Sequence, residues 1–124
     1  MRIIKPPHPS SGHYSAGIIS NGMLYISGQT SADPETGRIP DGGIAAEAAM
    51  CLSRAENILK AAGIDKNCVV MCRVFVSDMS LWGAMNEAYA KFFGAHMPAR
   101  AVYESAHIHH GANVEMEAVA EMPR

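Results

Sequence analysis

The sequence predicts a two-layer α/β domain, a largely apolar sheet with two helices on one face. Three observations carry this expectation. Residues 44–62 and 80–93 are amphipathic at helical spacing. Between and around them lie β-rich runs, in the order ββ(β)-α-β-α-β-β. The 124-residue chain contains no repeat, low-complexity tract or linker, so one domain over residues 1–124 is expected.

Residues 2–4 (RII) suit a short edge strand. KPPHPSSGHYS cannot enter a sheet interior, because its prolines lack donors and fix φ, so it reads as an ordered surface loop. In residues 17–27, GIISNGMLYIS, the Asn21-Gly22 pair between apolar runs marks a type I′ hairpin. GQTSADPETGRIPDGG is a long loop with a D-P-E-T-G turn. In IAAEAAMCLSRAENILKAA, Ile44, Ala48, Cys51, Leu52, Ala55, Ile58, Leu59 and Ala62 form one stripe, and Gly63 ends it. CVVMCRVFVS (68–77) is so apolar that it reads as a strand covered on both faces. SLWGAMNEAYAKFF carries a stripe of Leu81, Met85, Ala88, Tyr89 and Phe92 and stops at Gly94. Residues 99–105 and 113–121 supply two further strands. Each helix joins parallel strands by a right-handed crossover.

Composition narrows the function. The net charge of −2 is too acidic for a dedicated nucleic-acid binder, which needs clustered Lys and Arg. No apolar run has the length of a membrane span, and MRIIKPPHPSSGHYS lacks the apolar core of a signal peptide. Cys51, Cys68 and Cys72 are odd in number and form no C-x-x-C pair, which suits buried, reduced thiols in the cytoplasm.

Strand alternation then raises a question of cover. Val114, Met116, Ala118 and Ala120 share one face, opposite Glu115, Glu117, Val119 and Glu121. Two helices cover one face of the sheet. The other is expected to carry Val102, Met71 and Phe75 beside Arg100, Arg73 and Glu115. That mixture is too apolar for open water and too charged for a dry core. It points to a subunit interface that encloses a polar pocket.

Arg100, in MPARAVYE, is a permanent cation inside an apolar strand. It needs an anion, either an internal partner such as Glu104 or Glu115, or the carboxylate of a ligand. Glu115 and Glu117 are either an idle solvated pair or contain a general acid/base. His107, His109 and His110 lack the third ligand and the spacing of a zinc site, so no metal is expected. No phosphate-binding glycine loop or nucleophile elbow occurs.

Read together, GHYS (12–15), YISGQT (25–30), DPETGRIP (33–40), LKAAG (59–63), VFVSD (74–78), MNEAYAKFF (85–93), MPAR (97–100) and VEMEAVA (114–120) resemble the Rid family, also called YjgF or reactive intermediate deaminases. The resemblance implies a chorismate-mutase-like fold whose sheets pack as a trimeric barrel, with pockets between subunits. It implies cofactor-free hydrolysis of enamines and imines such as 2-aminoacrylate and 2-iminopropionate to 2-oxo acids and ammonia. It assigns Arg100 to the substrate carboxylate and Glu115 to the attacking water. Tyr14, Ser27, Gly28 and Gln29 would line the pocket, and Asn86 would support it. Val102 stands where many members carry cysteine, His13 where proline is common, and AHIHHGA lacks the usual proline. A module that binds small carboxylates without turnover is the alternative from a different class. RNA cleavage, a label attached to some relatives, fits the acidic balance poorly.

Overall fold

A computed structural model describes residues 1–7 and 12–124. Residues 8–11, in the middle of the expected KPPHPSSGHYS loop, lie outside the described residues. The elements are β1 (Arg2–Ile4), β2 (Gly17–Ser20), β3 (Met23–Thr30), α1 (Gly43–Ala61), β4 (Val69–Val76), α2 (Trp82–Phe93), β5 (Ala99–Glu104) and β6 (Val114–Glu121). They form one six-stranded sheet in the order β1-β2-β3-β6-β4-β5. Only β4 and β5 pair in parallel; the other pairings are antiparallel. β3 and β4 both run opposite to β6, which lies between them, so each helix does connect parallel strands.

Local chemistry explains the element ends. Asn21 and Gly22 turn the β2–β3 hairpin with φ of 51° and 75°, as a type I′ turn demands. α1 stops at Gly63, whose φ of 81° is left-handed, and the Ile64 N–H returns to the Leu59 carbonyl at 3.0 Å. A short 3₁₀ turn precedes α2, where the Asp78 carboxylate accepts from Ser80 N at 2.8 Å.

Both helices lie on one face. There α1 and α2 bury Leu24, Ile58, Leu59, Val74, Met85 and Val114 in a common core. Each such side chain contributes roughly 1.5–3 kcal/mol by leaving water. Within that core Glu47, on the inner side of α1, is only 2% exposed. It is held by three donors: Ser31 Oγ at 2.8 Å, Asn113 N at 2.9 Å and Asn113 Nδ2 at 2.8 Å. Ser77 Oγ donates to Asn113 Oδ1 at 2.8 Å. This network ties α1 to the ends of β3 and β4 and to the start of β6.

Register corrects two expectations. β4 is covered on one face only by the chain's own helices: Cys72, Val74 and Val76 are buried, while Met71 and Phe75 are half-buried and Arg73 is exposed. Arg100 and Val102 do not share that open face. In the parallel β4–β5 ladder Cys72 stands opposite Arg100 and Val74 opposite Val102, so both project to the helix side. Phe75 stands opposite Tyr103 and Glu115, and Arg73 opposite Glu117. The alternation within each strand was sound. Register decides how one strand's faces match its neighbour's, and a one-residue slip exchanges them. Cys51 and Cys72 are buried and Cys68 is half-buried, all as free thiols.

Candidate active site

The expected site residues fall into two groups on opposite faces of the sheet. The first is built on α2 and the edge strand β5. Trp82, Asn86 and Tyr89 are spaced four and three apart, so they share one side of α2. Arg100 rises from β5 against that side. Its Nη1 donates to Asn86 Oδ1 at 2.9 Å. Its guanidinium lies 4.7 Å from the Tyr89 ring centroid and 5.4 Å from that of Trp82. Aromatic faces favour a cation there without neutralising it. Among the described residues no carboxylate pairs with Arg100. Glu104, one internal partner considered above, accepts instead from Met79 N at 2.8 Å and helps start α2. Glu115, the other, projects from the opposite face. The guanidinium therefore keeps donors for an external anion. Val102 lies two residues further on the same face, half-buried against the core.

The second group surrounds a cavity of about 480 Å³ on the open face, lined in part by Tyr14, Ser27, Gly28, His109, His110 and Glu115. A β-bulge shapes it. Between Ile26 and Gln29, β3 has one residue more than the facing stretch of β6, which places Ser27 and Gly28 against the acidic strand. Ser27 Oγ donates to the Ser15 carbonyl at 2.6 Å and ties down the loop that carries Tyr14. A Cβ built on Gly28 would collide with the Glu115 carboxylate, so only glycine permits that approach. Arg54 Nη1 donates to the Thr30 and Ala32 carbonyls at 2.8 and 2.9 Å and fixes the far end of β3.

Burial pushes the Glu115 carboxyl above the usual carboxylate range, and neighbouring Glu117 adds to the rise. His109 opposes it. Glu117 itself pairs with Arg73 at 2.9 Å. Of the two glutamates that line this cavity, Glu115 is thus the one without an arginine partner, and its affinity for a proton is raised.

Gln29 does not join this cavity. The bulge turns its side chain to the helix side, where it is buried and donates to the Ser27 carbonyl at 3.0 Å. Conversely, Trp82 and Tyr89 belong to the Arg100 group although no site role had been expected of them. Their spacing with Asn86 was the available signal.

This division of residues can be set against known proteins. The family model described as Endoribonuclease L-PSP matches residues 5–122. The chain belongs to this family, the Rid or YjgF group. Mouse 2-iminobutanoate/2-iminopropanoate deaminase is 42% identical over 109 residues, covering 88% of this chain and 81% of the mouse protein. The structure of E. coli TdcF with bound serine superposes with a TM-score of 0.90 at 29% identity, covering 99% of this chain and 100% of the other. The E. coli YjgF structure gives a TM-score of 0.89 at 30% identity, with 99% and 100% coverage. The Rid resemblance and its mixed two-layer fold therefore hold. No helix among the described residues is long and apolar enough to cross a membrane.

Proposed function

We propose that this Rid protein hydrolyses short 2-imino acids, and the enamines that tautomerise to them, to 2-oxo acids and ammonia. The observation that carries the reading is the unpaired Arg100, clamped by Asn86, Tyr89 and Trp82 with donors to spare. A substrate α-carboxylate supplies its counter-ion through a bidentate pair. Mouse 2-iminobutanoate/2-iminopropanoate deaminase and serine-bound TdcF lend support, since both names include small molecules built on one carboxylate.

Arg100 and Glu115 leave the sheet on opposite faces, with β4 between their strands. They meet if the β5 edge of one subunit packs against the open face of the next. A homotrimer would build three such pockets, each with Arg100 from one chain and Glu115 from its neighbour. The apolar open face, with Phe75 stacked on Tyr103 at 5.6 Å and Tyr25 half exposed, suits such packing.

In this pocket the ionised Glu115 takes a proton from water as the water oxygen bonds to the imine carbon. The same carboxyl passes that proton to nitrogen, giving a carbinolamine. It then carries the hydroxyl proton across to nitrogen, the C–N bond breaks, and its electron pair leaves with ammonia as C=O forms. Protons balance and no cofactor enters. Three unpaired thiols suit work in a reducing compartment such as the cytoplasm.

The test is direct. An amino-acid oxidase generates 2-iminopropionate in situ, and its disappearance is followed with and without the protein. Arg100→Ala is expected to lower kcat/KM by roughly 10²–10⁴-fold, the worth of two charge-assisted hydrogen bonds. Equal rates for the wild type and this variant would remove Arg100 from the reaction. Ligand binding through Arg100 without any consumption of imine would favour the carboxylate-binding module instead.

A further inference from the structure

The histidine loop before β6 has no part in the chemistry above, yet it forms a wall of the same cavity. His109 and His110 both line it together with Glu115. Their rings are in contact, centroids 3.9 Å apart and tilted by 49°. His110 is held in the left-handed region at φ 62°, and its ring lies against Gly37, where a Cβ would stand 3.0 Å from Nδ1. Ile108 just before the pair is buried, and Asn113 just after it is tied to Glu47. The loop is thus anchored at both ends, with both histidines on the cavity wall.

The charges around Glu115 come from every side. Glu117 on its own strand pairs with Arg73 on β4 and still adds to the rise at Glu115. Arg54 on α1 is engaged with backbone carbonyls. Asp33 on the β3–α1 loop adds a second acid to the wall, and Tyr14 and His110 complete the titratable groups facing the cavity. Cys51 on α1 lies within electrostatic reach, but burial pushes its thiol up to about 12, so it is neutral. Within one chain, the group that opposes the rise at Glu115 is His109, which lines the same cavity; in the trimer proposed above, Arg100 of the neighbouring chain would join it.

We propose that His109, packed against His110, is a positioning residue of the active site: as an imidazolium on the wall of the cavity it shares with Glu115, it keeps that group as the carboxylate that accepts the water proton. This rests on the deaminase reading for its catalytic meaning, though not for its physical content. His109 would extend activity toward lower pH, and it would do so through Glu115 without touching the substrate.

The experiment is a titration of the Glu115 side-chain carboxyl by ¹³C NMR, assigned by its loss in Glu115→Gln. His109→Gln is expected to move the midpoint up by roughly half to one pH unit, the reach of a single charge across a wet cavity. His109→Lys supplies a permanent cation and is expected to leave the midpoint at or below the wild-type value. His107→Gln, outside the cavity, is expected to leave it unchanged. The acid limb of the kcat/KM profile should follow the same order, whereas a purely structural role would lower the profile without displacing that limb. An unmoved midpoint in His109→Gln, or a midpoint in His109→Lys above the wild type, would overturn the proposal. If the midpoints move as expected but the wild type hydrolyses no imine, the deaminase reading fails and the pairing of His109 with Glu115 stands.

Discussion

The two halves of the candidate site hold their charges in opposite ways. Arg100 is pinned on the helix face by one amide oxygen and two aromatic rings, all from α2. Its charge is fixed by chemistry and its geometry by packing. Glu115 sits on the open face beside a bulge and two loops, and burial there makes its charge costly. On the proposed function, one half would be a rigid receptor for a carboxylate and the other an adjustable proton-transfer group whose surroundings set when it is ionised. Binding and chemistry would then be separated within one chain by the thickness of the sheet, which makes each separately breakable.

The sharpest way to break the open half alone is Gly28→Ala. The added methyl would meet the flexible end of Glu115, which can swing away, so the fold survives while the carboxylate is displaced. A fall in kcat of roughly 10–100-fold is expected, part of the roughly 10²–10⁴-fold worth of a placed acid/base group because the carboxylate is displaced and not removed, with KM nearly unchanged. Unaltered kcat would mean that Glu115 does not act from this position.

The helix half is tested by Asn86→Ala, which removes the acceptor that orients the guanidinium. Here the expected effect lies mainly in KM, a rise of roughly 3–10-fold, less than the full worth of a hydrogen bond to a charged group because Asn86 orients the guanidinium without itself holding the substrate. A fall in kcat with constant KM would show that the two halves are not divided into binding and chemistry.

The smallest effect is on stability. The folded state holds the Glu115 proton more tightly than the unfolded chain, so ionising it costs stability. That contribution is present below the ordinary carboxylate pKa and is lost as pH rises through the raised one. Glu115→Gln, which cannot ionise, should therefore have a Tm a few degrees above wild type near pH 7, converging with it in acid; the shift is modest because the group is only half-buried. An Arg100→Ala protein should show no such pH-dependent gain. Thermal melts of both across pH 4–8 would check this.

Much of this division was legible in the sequence, and its limits were physical. The Asn21-Gly22 turn, the Gly63 stop and the alternation of β6 are local, so adjacent residues encode them. The motifs picked out Arg100, Asn86, Tyr14, Ser27, Gly28 and Glu115 as candidates before any register was known. The relative phase of β4 and β5 was not legible, because it is set by a crossover through α2 and by packing rather than by either strand. That is why Arg100 was expected beside Glu115 on the open face and lies on the other. The bulge at Ser27–Gly28, which sends Gln29 away, is likewise visible only once β3 meets β6. Glu47 was hidden in a different way. It lies three residues after Ile44 and four before Cys51, inside an apolar stripe, and an acidic residue there was the available sign of a buried network.

The composite pocket is the boldest consequence of the register, and mixing subunits tests it most directly. Arg100→Ala and Glu115→Gln proteins, each inactive alone, would be unfolded together in equal amounts and refolded. If each pocket of a trimer draws its arginine from one chain and its carboxylate from the next, one pocket in every mixed trimer is intact. Random assembly should then restore about a quarter of the wild-type imine hydrolysis. If the mixture stays as inactive as its components while forming mixed trimers, both groups act from a single chain, and the composite site is contradicted.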